Sequence, residues 1–154
     1  MTNEIWQTEL SSLIQDNVDE ILVKIIQFTH IRHTMISDNI KNCRCEDFVP
    51  RYIDAEDFAK VISAALTEHQ RNQRLALCDS RTVSFLPDGD FRLEPQIDTA
   101  AAGLLESDFG AYIQLQQDRL KENSINNKAA CALLEHKLCR QQEPVRSDSV
   151  ENKV

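Results

Sequence analysis

The side chains with the most chemical potential cluster early in the chain. His30 and His33 stand one helical turn apart, and Cys43 and Cys45 follow a short distance downstream. Imidazole and thiolate are the ligands that zinc accepts. The spacing, however, matches no usual zinc module, and two cysteines one residue apart close only a strained ring. The expectation is packed or solvated side chains, with no metal and no cofactor. Carboxylates cluster twice, as Asp54, Glu56 and Asp57 and as Asp88 and Asp90 around Gly89. A helix start accounts for the first group and a turn for the second. No nucleophile, base and orienting group can be assembled from spacing, and no glycine-rich phosphate loop is present, so the chain does not read as an enzyme.

Asn39 and Asn42 are of a different kind. An asparagine on a buried helix face fixes register by hydrogen bonding, whereas one at a helix end serves as a cap. Both roles are open at these positions, as is simple exposure to solvent.

Holding these residues requires a helix, and the sequence supplies one. Apolar residues recur at helical spacing from Ile5 to Ile40, and Ile14, Val18, Ile21, Ile25 and Phe28 step by alternating four and three, which lays one continuous seam. The spacing predicts a helix over 5–41. A loop follows over 42–53, where Pro50 disfavours helix at Val49. Asp54 as N-cap opens a second helix over 55–72, with Phe58, Val61, Ile62, Ala65 and Leu66 on its apolar side. Two β-leaning runs around Pro87-Asp88-Gly89 predict a hairpin over 82–94. The Ala-rich stretch from Gln96 to Glu106 reads as a short helix or a loop. A last long helix is expected over 107–139, marked by Phe109, Tyr112, Ile113, Leu120, Ala129, Ala130, Leu133, Leu134 and Leu138. The run 141–154 is charged and nearly free of apolar residues, the composition of a disordered tail. The fold class that emerges is mainly α, one domain over 1–140. Two long terminal helices pack as a coiled-coil-like pair around a central segment with a short third helix and a small β-hairpin.

The chain has 154 residues, three glycines, four prolines and a formal net charge of −8. Its charges are interspersed, which argues against a nucleic-acid surface. No stretch reaches the roughly 18 apolar residues of a membrane span, and the N-terminal residues lack the pattern of a cleaved signal peptide. Five cysteines, Cys43, Cys45, Cys78, Cys131 and Cys139, without the spacing of a secreted scaffold read as reduced thiols.

Several residues, taken in order, look like a known family. Arg32-His33, then Met35 or Ile36, then Asn39-Ile40-Lys41-Asn42 resemble the Arg-x-x-x-(Leu/Ile)-x-x-Asn-Ile-Ala-Asn signature of the bacterial flagellar basal-body rod proteins of the FlgB family. Val49-Pro50-Arg51-Tyr52, Asp57-Phe58 and Ala65-Leu66 resemble the extended segment and short helix that follow it there. Leu120-Lys121-Glu122-Asn123, Ala129-Ala130, Leu133-Leu134 and Lys137-Leu138 are similar to the family's C-terminal helix. About two-thirds of the chain is covered. Two departures stand out: Cys43-Arg44-Cys45-Glu46-Asp47-Phe48 replaces the family's Thr-Pro-Gly-Tyr turn, and Gln116-Gln117 stands where a Glu-Met pair is expected.

The resemblance implies a mechanical role, a subunit of the proximal rod in the flagellar basal body, exported from the cytoplasm without a cleaved signal peptide. Its partners would be other rod and basal-body proteins, in homo- and hetero-oligomeric contact, with no nucleic acid and no membrane insertion. The residues expected at the assembly interface are Ile14, Val18, Ile21, Ile25, Phe28, Arg32, Asn39, Asn42, Leu120, Asn123, Leu133, Leu134 and Leu138. Without the motifs, the same amphipathic pattern fits a cytosolic helical adapter or export chaperone that binds a client helix.

Overall fold

The computed structural model describes Leu10 and residues 13–142, the last two by backbone alone. The chain is mainly helical. Its elements are α1 (Asn17–Lys41), β1 (Arg51–Tyr52), α2 (Ala55–Asn72), β2 (Val83–Phe85), β3 (Phe91–Leu93), β4 (Gln96–Ile97), α3 (Thr99–Ser107) and α4 (Phe109–Gln142).

The first long helix starts later than its apolar spacing predicts. Asp16 caps α1: its side chain accepts the Asp19 backbone N–H at 2.8 Å, in extended backbone geometry. A cap needs non-helical backbone, so the helix cannot run through Asp16. Gln15 donates its N–H to Asp19 Oδ2 at 3.2 Å and Leu13 donates to the Leu10 carbonyl at 3.1 Å, which folds the approach into a turn. Ile14 therefore lies ahead of the helix and packs against the α1–α4 core from that approach. The rest of the expected N-terminal helix, residues 5–9, 11 and 12, lies outside the described residues. So does the tail over 143–154, while residues 141–142 still belong to α4 and are not part of any tail.

Two cores meet on α1. The first joins it to the central segment: Ile21 and Phe28 pack with Ile53, Phe58, Val61, Ile62, Ala65, Val83 and Phe91. At its centre the Phe28 and Phe58 rings stack with centroids 4.1 Å apart, and Phe91 leans on Phe58 at 5.7 Å. The second joins α1 to α4: Leu22, Val23 and Ile26 pack on Ala130 and Leu134. Because partners approach from both sides, Ile21, Leu22, Val23, Lys24 and Ile26 are all buried. This is the reason the apolar residues of α1 outnumber a single seam.

The central segment matches the spacing closely. Asp54 caps α2 by accepting the Asp57 N–H at 3.0 Å. Strands β2 and β3 pair antiparallel, with Phe85 opposite Phe91, Ser84 opposite Arg92 and Val83 opposite Leu93. Gly89 takes φ +89° in the connecting turn, where the Leu86 N–H reaches Asp90 O at 2.7 Å. The loop read over 42–53 contains one further element, β1, which pairs antiparallel with β4 through Arg51 opposite Ile97 and Tyr52 opposite Gln96. Asp108 then ends α3 and opens α4, donating its N–H to Leu104 O at 2.7 Å and accepting the Ala111 N–H at 3.0 Å.

Candidate assembly interface

The seam between α1 and α4 is apolar where Leu22, Val23 and Ile26 meet Ala130 and Leu134, and polar on either side of that stretch. The helices run antiparallel, as three levels show. Asn39 meets Gln116, Thr29 meets Asn123 and Asn127, and Asp16 meets Lys137.

Asn39 is the most connected of these residues. Its Nδ2 donates to the Arg51 carbonyl at 2.7 Å and to Gln116 Oε1 at 3.3 Å, and its Oδ1 accepts the Arg51 N–H at 3.2 Å. The amide thus copies a strand neighbour and straps β1 to α1. Asn39 also lies among the last carbonyls of α1, which have no intrahelical donor. The Tyr112 hydroxyl donates to its carbonyl at 2.7 Å, and the Cys43 thiol donates to the next one, Ile40 O, at 3.0 Å. Tyr112 is fully buried, and that burial pushes its phenol up to about 12. Asn42 holds the C-cap position, donating its N–H to Asp38 O at 2.9 Å. Its φ is −100°, so no left-handed cap forms there.

Lower on the seam, Asn123 Nδ2 donates to the Thr29 carbonyl at 2.7 Å and Asn127 Nδ2 donates to Thr29 Oγ1 at 2.8 Å. Arg32, 8 % exposed, faces Glu122 at 3.5 Å. At the far end Lys137 Nζ sits 2.9 Å from both Asp16 and the fully buried Asp19. The Asp19 backbone N–H, then Lys137, holds the Asp16 carboxyl below its ordinary range. Buried polar pairs of this kind contribute modest net stability but penalise a shifted register heavily, because each orphaned group costs its full desolvation.

The thirteen residues expected at the interface divide by burial. Ile21, Phe28, Arg32, Asn39, Asn123 and Leu134 are buried by the chain itself; Ile14, Val18, Ile25, Leu120 and Leu138 are half-buried; Asn42 and Leu133 are exposed. The structure brings most of them to the α1–α4 seam. The exceptions are Ile21 and Phe28, which face the central segment, Leu133, which lies exposed beside the seam, and Asn42. Tyr112, read as part of the apolar face, belongs to the same seam; Thr29, Gln116 and Asn127 do too and were missed by apolar periodicity, because their polar type reads as solvent-facing. Their positions at 112, 116, 123, 127, 130 and 134, one or two turns apart on α4, were the available signal.

An open groove lies beside this seam. It encloses about 410 Å3 between α1, α2 and α4, with Leu22, Ile25 and Phe28 as floor and Ile62, Leu66 and Leu133 along the walls. Leu133 is 58 % exposed there. Across α1, a second cavity of about 410 Å3 is lined by residues that include His30, His33, Leu120 and Asn123.

The chemistry-bearing groups are occupied structurally. Asp57 accepts from Ser80 Oγ at 2.7 Å and from both the hydroxyl and the N–H of Thr82, and the Thr82 and Ser80 hydroxyls lead in holding its carboxyl below the usual range. Asp54, besides capping, pairs with Arg81 at 2.8 Å. Among the described residues no group of three or more His, Cys, Asp or Glu comes together to hold a metal ion, and no helix is long and apolar enough to cross a membrane.

No family model, curated protein or solved structure matches the chain.

Proposed function

We infer that the chain is a structural assembly subunit, and specifically a proximal-rod subunit of the bacterial flagellar basal body, of the FlgB type. One observation carries the reading. Residues that resemble the family at opposite ends of the sequence act together in space: Arg32 and Asn39 of α1 face Glu122 and the polar row of α4, Asn123 reaches back to Thr29, and Arg51 of the central motif is strapped to Asn39. Motifs that arise by chance in separate helices have no reason to share one seam. The exposed apolar positions Ile125 (67 %) and Leu133 on α4 add support, since an axial subunit needs helix faces that neighbours cover. The partners on this reading are other rod and basal-body proteins.

The rival is a helical adapter that holds a client helix, and the apolar groove beside Leu133 favours it, because helix-in-groove recognition uses such a channel. Fractionation separates the two. A tagged chain in its host should co-purify with detergent-extracted basal bodies in fixed stoichiometry to the rod, and deleting the gene should stop assembly before the hook. A deletion strain with intact rods, and a chain found only in the soluble fraction with a client, overturns the rod reading and supports the adapter.

A further inference from the structure

Helix α4 carries a second stripe beside the α1 seam, touching α1 only along its edge, where Glu122 faces Arg32 and where Ala129 and Leu133 border the groove. Asp118, Glu122, Ile125, Ala129, Leu133, His136 and Arg140 are all exposed. Their steps are four, three, four, four, three and four, the same from either end. At about 100° per residue they fall within a band about 80° wide, and the stripe runs for about 33 Å. Its chemistry is also ordered. Acids occupy the N-terminal end, apolar residues the centre and basic residues the C-terminal end.

We propose that two copies of this chain pair through this stripe, α4 against α4, antiparallel, with the two-fold axis beside Ala129. Reversal about Ala129 places each residue against the one equally far on the other side. Ile125 then meets Leu133 of the partner copy, Glu122 meets His136, and Asp118 meets Arg140, and two-fold symmetry makes every contact twice. Ala129 at the axis lets the helix backbones approach closely. The parallel alternative sets Asp118 on Asp118 and Arg140 on Arg140, so charge selects the orientation. The apolar centre is continuous with the open groove, since Ala129 and Leu133 line both, so the partner helix covers the groove mouth as well. This pairing rests on α4 alone; subunits of a polar rod all point one way, so in a rod the antiparallel pair must part before neighbours cover Ile125 and Leu133.

Sedimentation equilibrium of the purified chain should show a concentration-dependent dimer. Leu133→Asp should raise its dissociation constant at least about tenfold, with helix content unchanged because the side chain is exposed. Asp118→Arg and Arg140→Asp should each weaken pairing about two- to tenfold, and the double exchange should restore it. With the five native cysteines replaced by serine and the fold checked by circular dichroism, Ala129→Cys should cross-link readily on oxidation and Ile125→Cys should not. If that background does not fold, the charge exchange in the natural chain decides. A monomer up to the solubility limit, a double exchange that fails to restore pairing, or equal cross-linking at Ile125 and Ala129 overturns the proposal.

Discussion

Asn39 is where the largest number of separate contacts depend on one side chain. Alanine there removes the paired bonds to Arg51 and the buried bond to Gln116, and leaves the part-buried Arg51 N–H and carbonyl without their Asn39 partners. Loss of stability of about 2–4 kcal/mol is expected, read as a lower urea midpoint, with the β1 amides exchanging first. Tyr112 gives a test in the alkaline range. Its folded phenol titrates near 12 and its unfolded phenol near the ordinary 10. The folded state therefore keeps a proton that the unfolded state has released, and stability falls as pH rises from 10 towards 12 by on the order of 2 kcal/mol. Tyr112→Phe should be less stable at neutral pH, because Asn39 O loses its donor, but should lose this alkaline decline. A variant that keeps the full decline would mean another group is responsible.

At the scale of elements, the hairpin is attached to α2 through Asp57. Its carboxylate accepts from Ser80 and Thr82, and those bonds hold its acidity below the usual range. A lowered carboxyl stabilises the fold at pH above the ordinary carboxylate value, and that contribution is lost as pH falls through the folded value. Asp16 shifts in the same direction at the start of α1. Acid should therefore loosen the hairpin and the α1 cap, with the Asp16–Lys137 end of the seam, before the rest of the α1–α4 seam. Asp57→Asn should remove part of the acid dependence and release the amides of Val83 to Leu93 to faster exchange, while α4 keeps its protection. The hairpin and α2 were legible in the sequence because their signals are local: a capping aspartate, a Pro-Asp-Gly turn and alternating Val83 and Phe85. The β1–β4 pair was not, since two residues carry too little pattern and their partner lies over forty positions away.

For the molecule as a whole, α1 is the shared wall of two cores, and the seam read along it belongs largely to the inside. Ile21 is 1 % exposed and Leu133 is 58 % exposed. Ile21→Asp should unfold the chain, because it sets a carboxylate into the apolar core that Ile21 shares with Phe28, Phe58 and Phe91. Leu133→Asp should leave the thermal transition within a few degrees of the natural chain and act only on association. Thermal circular dichroism of the two variants checks the division, and equal destabilisation would show that α4 is packed differently.

By itself the sequence determined a mainly helical chain, the second helix and hairpin to within a residue or two, and two long terminal helices, because period, caps and turn residues act between near neighbours. It also marked Arg32, Asn39 and Asn123. What only the tertiary structure decided is which face of each helix is consumed within the chain. Ile14, Ile21 and Leu133 look alike as apolar positions on helical spacing. The Asp16 cap removes the first from the helix, the stacked phenylalanines enclose the second, and the third lies beyond the width of α1 and remains open. Periodicity reports that a residue avoids water; only the positions of the other elements say whether its own chain or another covers it.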